Sequence, residues 1–164
     1  MYKDQRYQKI KCLEKREIAA FCALIISIFL YVCVVKSGYT LHRNIGKSLP
    51  HILSYGKPFK EIKRGMYVSF SHPRSQSKVT KRIQGLPGDK VIIHGNNLWV
   101  NNEIVGVLKQ TTPSGQFLHP ISHQSIPEGF LFVSGLHPDS FDSRYQEFGL
   151  IPIESVEEEI CPLF

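Results

Sequence analysis

Residues 90–107 read KVIIHGNNLWVNNEIVGV, a stretch in which three short apolar runs alternate with turn residues. The runs are Lys90–His94, Leu98–Asn101 and Ile104–Val107. Between neighbouring runs the glycine and asparagines at 95–97 and 101–103 are typical of tight hairpin turns. Runs of this length, bounded by such turns, predict strands rather than helices.

The same pattern continues on both sides of this stretch. Further apolar runs cover Met66–Phe70 (MYVSF), Lys78–Ile83 (KVTKRI) and Gly129–Ser134 (GFLFVS), and no segment after residue 40 predicts a long helix. The fold class predicted for this part of the chain is therefore mainly β, a small and mostly antiparallel domain. Leu108–Glu128, with its Pro, Ser, Gly and His, predicts a long loop. This loop either borders a substrate cleft or is a plain exposed connection.

The N-terminal part of the chain follows a different pattern. Ile18–Val35 reads IAAFCALIISIFLYVCVV and carries no charge. As a helix it would span about 27 Å at a rise of about 1.5 Å per residue, enough to cross a hydrocarbon core. The alternative is a cleaved signal peptide, but the run is longer than a usual apolar h-region. Residues 34–38 also fit an A-x-A cleavage site poorly, so we expect a single uncleaved transmembrane anchor.

Charge predicts the orientation of that anchor. The net charge is +6, and five cations lie within the twelve residues before the apolar run. The positive-inside rule then divides the chain into a cytoplasmic basic segment (1–17), an anchor (18–35) and an exported β-rich domain (36–164). The predicted location is the cytoplasmic (inner) membrane, with the exported domain on the periplasmic side. No basic stripe interleaved with aromatic residues is present, so we expect no nucleic-acid partner.

The cysteine spacing indicates neither a metal site nor a disulfide framework. They are Cys12, Cys22, Cys33 and Cys161, without a CxxC pair among them. Cys161 could pair between chains or be a small packed residue. His119 and His123 have a spacing that allows a metal, but no further ligand cluster stands near them. We therefore expect no metal and no cofactor.

Three polar segments could carry chemistry. Residues 43–50 (RNIGKSLP) contain Ser48, residues 79–89 (VTKRIQGLPGD) contain Lys81, and residues 134–145 read SGLHPDSFDSRY. Each segment taken alone is compatible with an ordinary loop or surface strand. Strand alternation would point Lys81 the opposite way from its neighbours Thr80 and Arg82.

Burial would decide what Lys81 can do. A free lysine has a pKa of about 10.4, which leaves almost no neutral amine at neutral pH. An apolar pocket lowers that pKa and allows the amine to act as a general base. The turn sequence GLPGD after Gln84 could end the strand rigidly, and Asp142 and Arg144 could form a salt bridge that fixes their loop.

In this order after an anchor, the three segments resemble the type I signal peptidases, most closely their conjugal-transfer relatives of the TraF type. The resemblance covers residues 18–160. It rests on the x-P pattern after Ser48, on the K-R-x-x-G-L-P-G-D block from Lys81 to Asp89, and on the S-x-D-S-R block from Ser140 to Arg144. Asn44, and His137 followed by Pro138, match the transfer branch. The tail at 149–153 fits the closing strand.

The resemblance implies a serine endopeptidase with a Ser-Lys dyad. Ser48 would be the nucleophile and Lys81 the base, with Ser140 hydrogen-bonding the Lys81 amine and aiming it. Asp142 and Arg144 would hold the loop of Ser140. A third group that orients the base is the general logic of an activated nucleophile.

One position departs from the family pattern. Many signal peptidases have a hydroxyl two residues before the nucleophile, where it donates to the oxyanion, and this chain has Gly46 there. Loss of one such donor costs ~10²–10³ in rate. The Ser48 backbone N–H remains, and the Asn44 side chain or water could substitute for the missing donor.

The implied substrate is an exported pre-protein cut after small residues near the bilayer. In the transfer branch it is a pilin precursor, so we expect a role in pilin or conjugation-apparatus maturation, by hydrolysis or by cyclisation. The alternative is a catalytically silent membrane-anchored scaffold of a secretion or conjugation apparatus, which Gly46 favours. A Ser-His-Asp hydrolase has weaker support because no histidine lies in a motif. The sequence does not predict an oligomeric state.

Overall fold

The structure is a computed structural model that describes residues 2–43, 53–75 and 77–163, with side chains from residue 15 onward. The chain divides into two compact units, Met1–Tyr39 and Thr40–Phe164. The first unit is helical and the second is built almost entirely of strands.

The first unit is one helix, α1, Tyr2–Lys36. Its part Lys15–Lys36 is long and apolar enough to cross a membrane, and its side chains are exposed. The helix ends where the Ser37 N–H donates to the Cys33 carbonyl (3.0 Å) and Gly38 adopts a positive φ of 73°. A glycine in this conformation is a common helix terminator. The predicted N-terminal apolar helix is thus confirmed.

The second unit contains ten strands in the residues that the structure describes. They are β1 Thr40–Arg43, β2 Leu53–Lys57, β3 Tyr67–Ser71, β4 Lys78–Gly85, β5 Val91–His94, β6 Asn97–Val100, β7 Glu103–Val107, β8 Phe130–Ser134, β9 Ile151–Pro152 and β10 Val156–Pro162. Seven form one sheet in the order β1-β2-β10-β3-β4-β8-β9, and β5-β6-β7 form a second sheet. Each of these strand pairs is antiparallel. The mainly β, antiparallel fold class is confirmed.

All six strands expected from the central apolar runs are present, with ends that differ from the prediction by at most two residues. Both hairpins of the smaller sheet are also present. Asn101 and Asn102 have positive φ values of 49° and 68°, which a type I′ turn requires, and Gly95 turns the other hairpin with a φ of 61°. The region 108–128 forms no strand, as expected of a long loop.

Two apolar clusters form the core. One packs against the large sheet and includes Phe70, Ile83 and Phe148. The other packs against the small sheet. Gly85, the last residue of β4, packs against the second cluster, where a Cβ would lie 2.3 Å from the Ile126 side chain. A residue with a side chain does not fit there, so β4 must end on glycine.

The GLPGD segment makes a tight turn directly after β4. The Asp89 N–H donates to the Leu86 carbonyl (3.1 Å), and Gly88 has a φ of 85°. Proline followed by glycine at these positions is the pattern of a type II turn. The Asp89 carboxylate accepts from the Leu86 N–H (2.7 Å) and pairs with Arg64 (2.6 Å). The turn therefore fixes the end of the strand that carries Lys81.

Candidate active site

Lys81 lies in the middle of β4, opposite Val68 of β3. It is only 4% exposed, and Ile83 on the same face of the strand is fully buried. Thr80 and Arg82, on the other face, are half-buried. Because successive side chains of a strand point to opposite faces, the apolar pattern of β4 carries the lysine into the core.

The amine of Lys81 has a polar partner and an aromatic wall. Its Nζ donates to Ser140 Oγ at 2.7 Å, and it lies 5.9 Å from the centre of the Phe148 ring. Gly135 leaves the space for this contact, since a Cβ there would lie 2.1 Å from Ser140 Oγ and 3.2 Å from Lys81 Nζ. The Ser140 side chain thus fixes the position of the amine.

Burial lowers the pKa of Lys81 below its usual value of 10.5. The nearby Asp142 carboxylate acts in the opposite direction, and the Arg144 guanidinium adds to the lowering. Removing a charge from water disfavours the protonated amine, so a larger fraction of Lys81 is neutral. A neutral amine that is held in place can accept a proton.

Asp142 organises the loop that carries Ser140. Its carboxylate is completely buried and accepts hydrogen bonds from the Gly135 N–H (3.0 Å) and from Arg144 Nε (2.8 Å) and Nη2 (3.0 Å). Arg144 in turn donates to the carbonyls of Ser140 (2.8 Å) and Val107 (3.0 Å). The salt bridge expected between Asp142 and Arg144 is therefore present, and it closes the loop on itself.

Phe148 is held in place by a residue that the sequence did not single out. The buried His72 ring packs against it with centroids 4.4 Å apart, and His72 Nε2 lies 3.2 Å from the Phe148 carbonyl. Phe141 meets Phe148 edge-on at 5.4 Å. His72 stands between a strand end and a proline, where no local pattern predicts burial.

The long loop at 108–128 reaches this region. A cavity of about 270 Å³ is lined by Ser140, Phe141 and Tyr145 on one side and by residues between 109 and 118 on the other. The second half of the loop at 108–128 is fixed to the loop that carries Ser140, because the Ile121 N–H donates to the Arg144 carbonyl (2.9 Å). The loop therefore borders a cavity beside Ser140.

The structure brings together four of the six residues expected in the site: Lys81, Ser140, Asp142 and Arg144. Ser48 and Asn44, together with Gly46, lie outside the described residues. The strands on either side of that segment are described: β1 ends at Arg43, β2 begins at Leu53, and these two residues pair across the strands.

The metal alternative finds no site in the described part of the chain. His119 is occupied by Glu147, whose carboxylate lies 2.6 Å from its Nδ1. Within residues 2–43, 53–75 and 77–163, no three His, Cys, Asp or Glu side chains are grouped to hold a metal ion. Cys22, Cys33 and Cys161 are free thiols.

Residues 13–161 match the family model described as signal peptidase, peptidase S26. The chain belongs to this family. As a signal peptidase it is a serine peptidase that removes signal peptides from exported pre-proteins, and its apolar helix fits the membrane association of signal peptidase I.

One solved structure similar to this signal peptidase is the crystal structure of a signal peptidase I from Enterococcus faecalis V583. The two chains are 28% identical, with a TM-score of 0.47, and the match covers 63% of this chain and 100% of the other. No curated protein matches the chain.

Proposed function

We propose that this signal peptidase works through a Ser-Lys dyad, with Ser48 as the nucleophile and Lys81 as the general base. The observation that carries the proposal is the state of the Lys81 amine, which is buried, has a lowered pKa and is bound to Ser140. A catalytically silent scaffold would gain nothing from burying this lysine and binding its amine to Ser140. Removing a charged amine from water costs stability.

In the proposed mechanism, the neutral Lys81 amine takes the proton of Ser48 as its Oγ attacks the scissile carbonyl. The same amine then donates that proton to the leaving amine of the mature protein. Water attacks the acyl-enzyme through the same base and frees Ser48. Ser140 accepts from Lys81 and so leaves the nitrogen lone pair free to be aimed at the nucleophile.

The oxyanion that forms during attack needs donors. We propose the Ser48 backbone N–H as one of them and the Asn44 side chain as the replacement for the hydroxyl that is missing at Gly46. Preorganised donors of this kind stabilise the charge that develops in the transition state. Asn44→Ala should therefore reduce turnover more than it reduces substrate binding.

We further propose a substrate and a location. The x-P pattern after Ser48, Asn44 and His137 followed by Pro138 resemble the TraF-type branch, so the proposed substrate is a pilin or another conjugation component with a cleavable leader. The basic segment 1–17 would stay cytoplasmic, 18–35 would cross the inner membrane, and 36–164 would act on the periplasmic side.

A cleavage assay tests the dyad. Membranes that contain the full chain are incubated with a synthetic precursor whose leader ends in Ala-Xaa-Ala, and separately with a pilin precursor. Variants Ser48→Ala and Lys81→Ala are compared with Ser75→Ala and Lys60→Ala, which alter exposed residues of the same types. We expect cleavage by the unaltered chain and both controls, and none by the two dyad variants.

The other outcomes separate the alternatives. Equal cleavage by all five proteins would mean that another peptidase in the membranes cleaves the precursor. Activity retained by Lys81→Ala but not by Ser48→Ala would remove Lys81 from the mechanism. If the unaltered chain cuts neither precursor, the silent scaffold becomes the better explanation.

A further inference from the structure

Glu158 of β10 is an unusual acid because it is only 7% exposed. It pairs with Ser69 of β3. Lys81 pairs with Val68, the neighbouring residue of β3, so the two side chains lie on opposite faces of the large sheet. Glu158 is therefore buried behind the sheet, away from the Lys81 amine.

The Glu158 carboxylate joins strands that are not neighbours. Thr40 of β1 donates its hydroxyl to Oε2, and His42 of β1 lies 3.0 Å from Oε1. Lys78 of β4 lies 2.8 Å from Oε1. In the sheet order β1-β2-β10-β3-β4, these contacts reach across β2 on one side and across β3 on the other.

Gly56 of β2 makes the reach to β1 possible. It pairs with Thr40, and a Cβ at this position would lie 2.0 Å from Glu158 Oε2 and 2.4 Å from Thr40 Oγ1. A side chain at this position would therefore displace the Glu158 carboxylate or the Thr40 hydroxyl. The glycine thus provides the gap through which the carboxylate crosses β2.

The carboxylate is ionised at this place. Burial by itself would raise the pKa of Glu158, but the nearby Lys78 and His42 side chains and the hydrogen bond from Thr40 outweigh it and lower the pKa. Charge-assisted hydrogen bonds are the stronger ones. A neutral side chain of the same shape would lose much of the attraction to all three partners.

The two strands that Glu158 contacts, β1 and β4, are connected to the two residues of the proposed dyad. β1 ends at Arg43 and continues into the segment 44–52, which contains Ser48. Lys78 is in the same strand as Lys81, three residues earlier. We propose that Glu158 is a positioning residue for catalysis: it couples the strand that leads to the nucleophile with the strand that carries the base. This inference rests on the proposed dyad.

The neighbouring Glu157 provides a matched control. Its carboxylate accepts from Ser71 (2.6 Å) and pairs with Lys78 (3.1 Å), but it has no described contact with β1. Its side chain is 41% exposed. Glu157→Gln therefore removes the same charge, one residue away and next to the same lysine, without loosening β1.

The test compares Glu158→Gln, Glu157→Gln and Thr40→Val in the full chain, in detergent, with the Ala-Xaa-Ala precursor. For Glu158→Gln we expect kcat to fall by about tenfold or more with KM unchanged, because a misplacement of about 1 Å can cost 10²-fold. Thr40→Val should lower kcat less than Glu158→Gln does. Adding Thr40→Val to Glu158→Gln should cause little further loss of kcat, since both changes break the same contact between Glu158 and β1. Glu157→Gln should keep the kcat of the unaltered chain.

Amide hydrogen exchange gives a second readout, independent of turnover. We expect the amides of residues 40–43 to exchange faster in Glu158→Gln, while the exchange rates of the β4 amides stay the same. In Glu157→Gln the exchange rates of both strands should match those of the unaltered chain. An unaltered kcat in Glu158→Gln, or an equal loss in Glu157→Gln, would overturn the coupling and leave the Ser-Lys dyad standing. If Ser48→Ala cleaves as well as the unaltered chain, the dyad itself falls, and this inference with it.

Discussion

At the scale of single residues, the chemistry of the site depends on where β4 places an ordinary lysine. Val68, Ile83 and Phe148 surround the Lys81 side chain, and Ser140 accepts a hydrogen bond from its amine. Desolvation then shifts the protonation equilibrium toward the neutral base. The same side chain on the outer face of β4 would be an inert surface cation.

The first prediction concerns the pH dependence of cleavage. Lys81 must be neutral to accept a proton, so kcat/KM should rise with pH through the pKa of this amine and then level off. Because burial lowers that pKa, the midpoint should lie below 10.5, the value of an ordinary lysine. The measurement is the initial rate of precursor cleavage over a series of buffers.

Lys60→Ala is the control for this profile, because Lys60 is exposed and its loss should leave the midpoint unchanged. A rate that falls with pH over the same range would contradict the role of Lys81. So would a midpoint at the pKa of a solvated lysine, since it would mean that the amine is not desolvated in the working enzyme.

Two glycines matter at this scale because they have no side chain. Gly135 leaves room for the Ser140 hydroxyl beside the Lys81 amine, and Gly56 leaves room for Glu158 beside Thr40. Both positions lie where a polar side chain crosses a neighbouring backbone. A Cβ at either would displace a contact that the proposed mechanism uses.

At the scale of elements, the loop between β8 and β9 is stabilised by one buried ion pair. Asp142 accepts hydrogen bonds from the loop backbone, and Arg144 donates to the carbonyls of Ser140 and Val107. The pair therefore joins the start of the loop at Gly135 to its middle at Ser140 and connects it to β7. The position of Ser140 depends on it.

The second prediction concerns the stability of this loop. Asp142→Asn should lower the free energy of unfolding by about 3–5 kcal/mol, because it leaves the Arg144 charge buried and unpaired. Arg144→Met should lower the free energy of unfolding by a similar amount, because it leaves the Asp142 carboxylate buried and unpaired. The double variant should cost less than the sum, since neither charge remains. Urea unfolding of the detergent-solubilised chain measures all three.

Asp139→Asn is the control within the same loop. Asp139 pairs with Lys109, and both side chains are substantially exposed. An exposed pair of this kind contributes about 0–1 kcal/mol, so the variant should unfold close to the unaltered chain. Equal losses for Asp139→Asn and Asp142→Asn would mean that burial does not set the strength of the Asp142–Arg144 pair.

The elements also show how far the sequence could predict the fold. Strands with apolar alternation and hairpins with Gly or Asn turns were predictable because their signals are local. β10 was not, because it contains three consecutive glutamates, Glu157 to Glu159. Glu158 can be buried there only because partners on β1 and β4, distant in the sequence, neutralise it.

At the scale of the whole molecule, the candidate site is a set of long-range contacts. Lys81 and Ser140 are 59 residues apart in the chain and meet across one hydrogen bond. No periodicity or spacing predicts such a contact, and only the resemblance to signal peptidases implied it. The Asp142–Arg144 pair, two residues apart, could be expected from the sequence itself. His72 behind Phe148 could not, since its burial depends on the assembled sheet.

The last prediction concerns the orientation of the chain in the membrane. Two variants are made in a background without the natural cysteines: one keeps only Cys12, and the other carries only Ser75→Cys on an exposed turn. A membrane-impermeant maleimide should label Ser75→Cys in intact spheroplasts and Cys12 only after lysis, because cations before the apolar helix hold the N-terminus in the cytoplasm. The labelled chains should keep the full mass of 18.7 kDa.

Labelling of Cys12 alone before lysis would reverse the proposed topology and place the Lys81 site on the wrong side for exported substrates. A shorter Ser75→Cys product that has lost its N-terminus would instead identify residues 18–35 as a cleaved signal peptide.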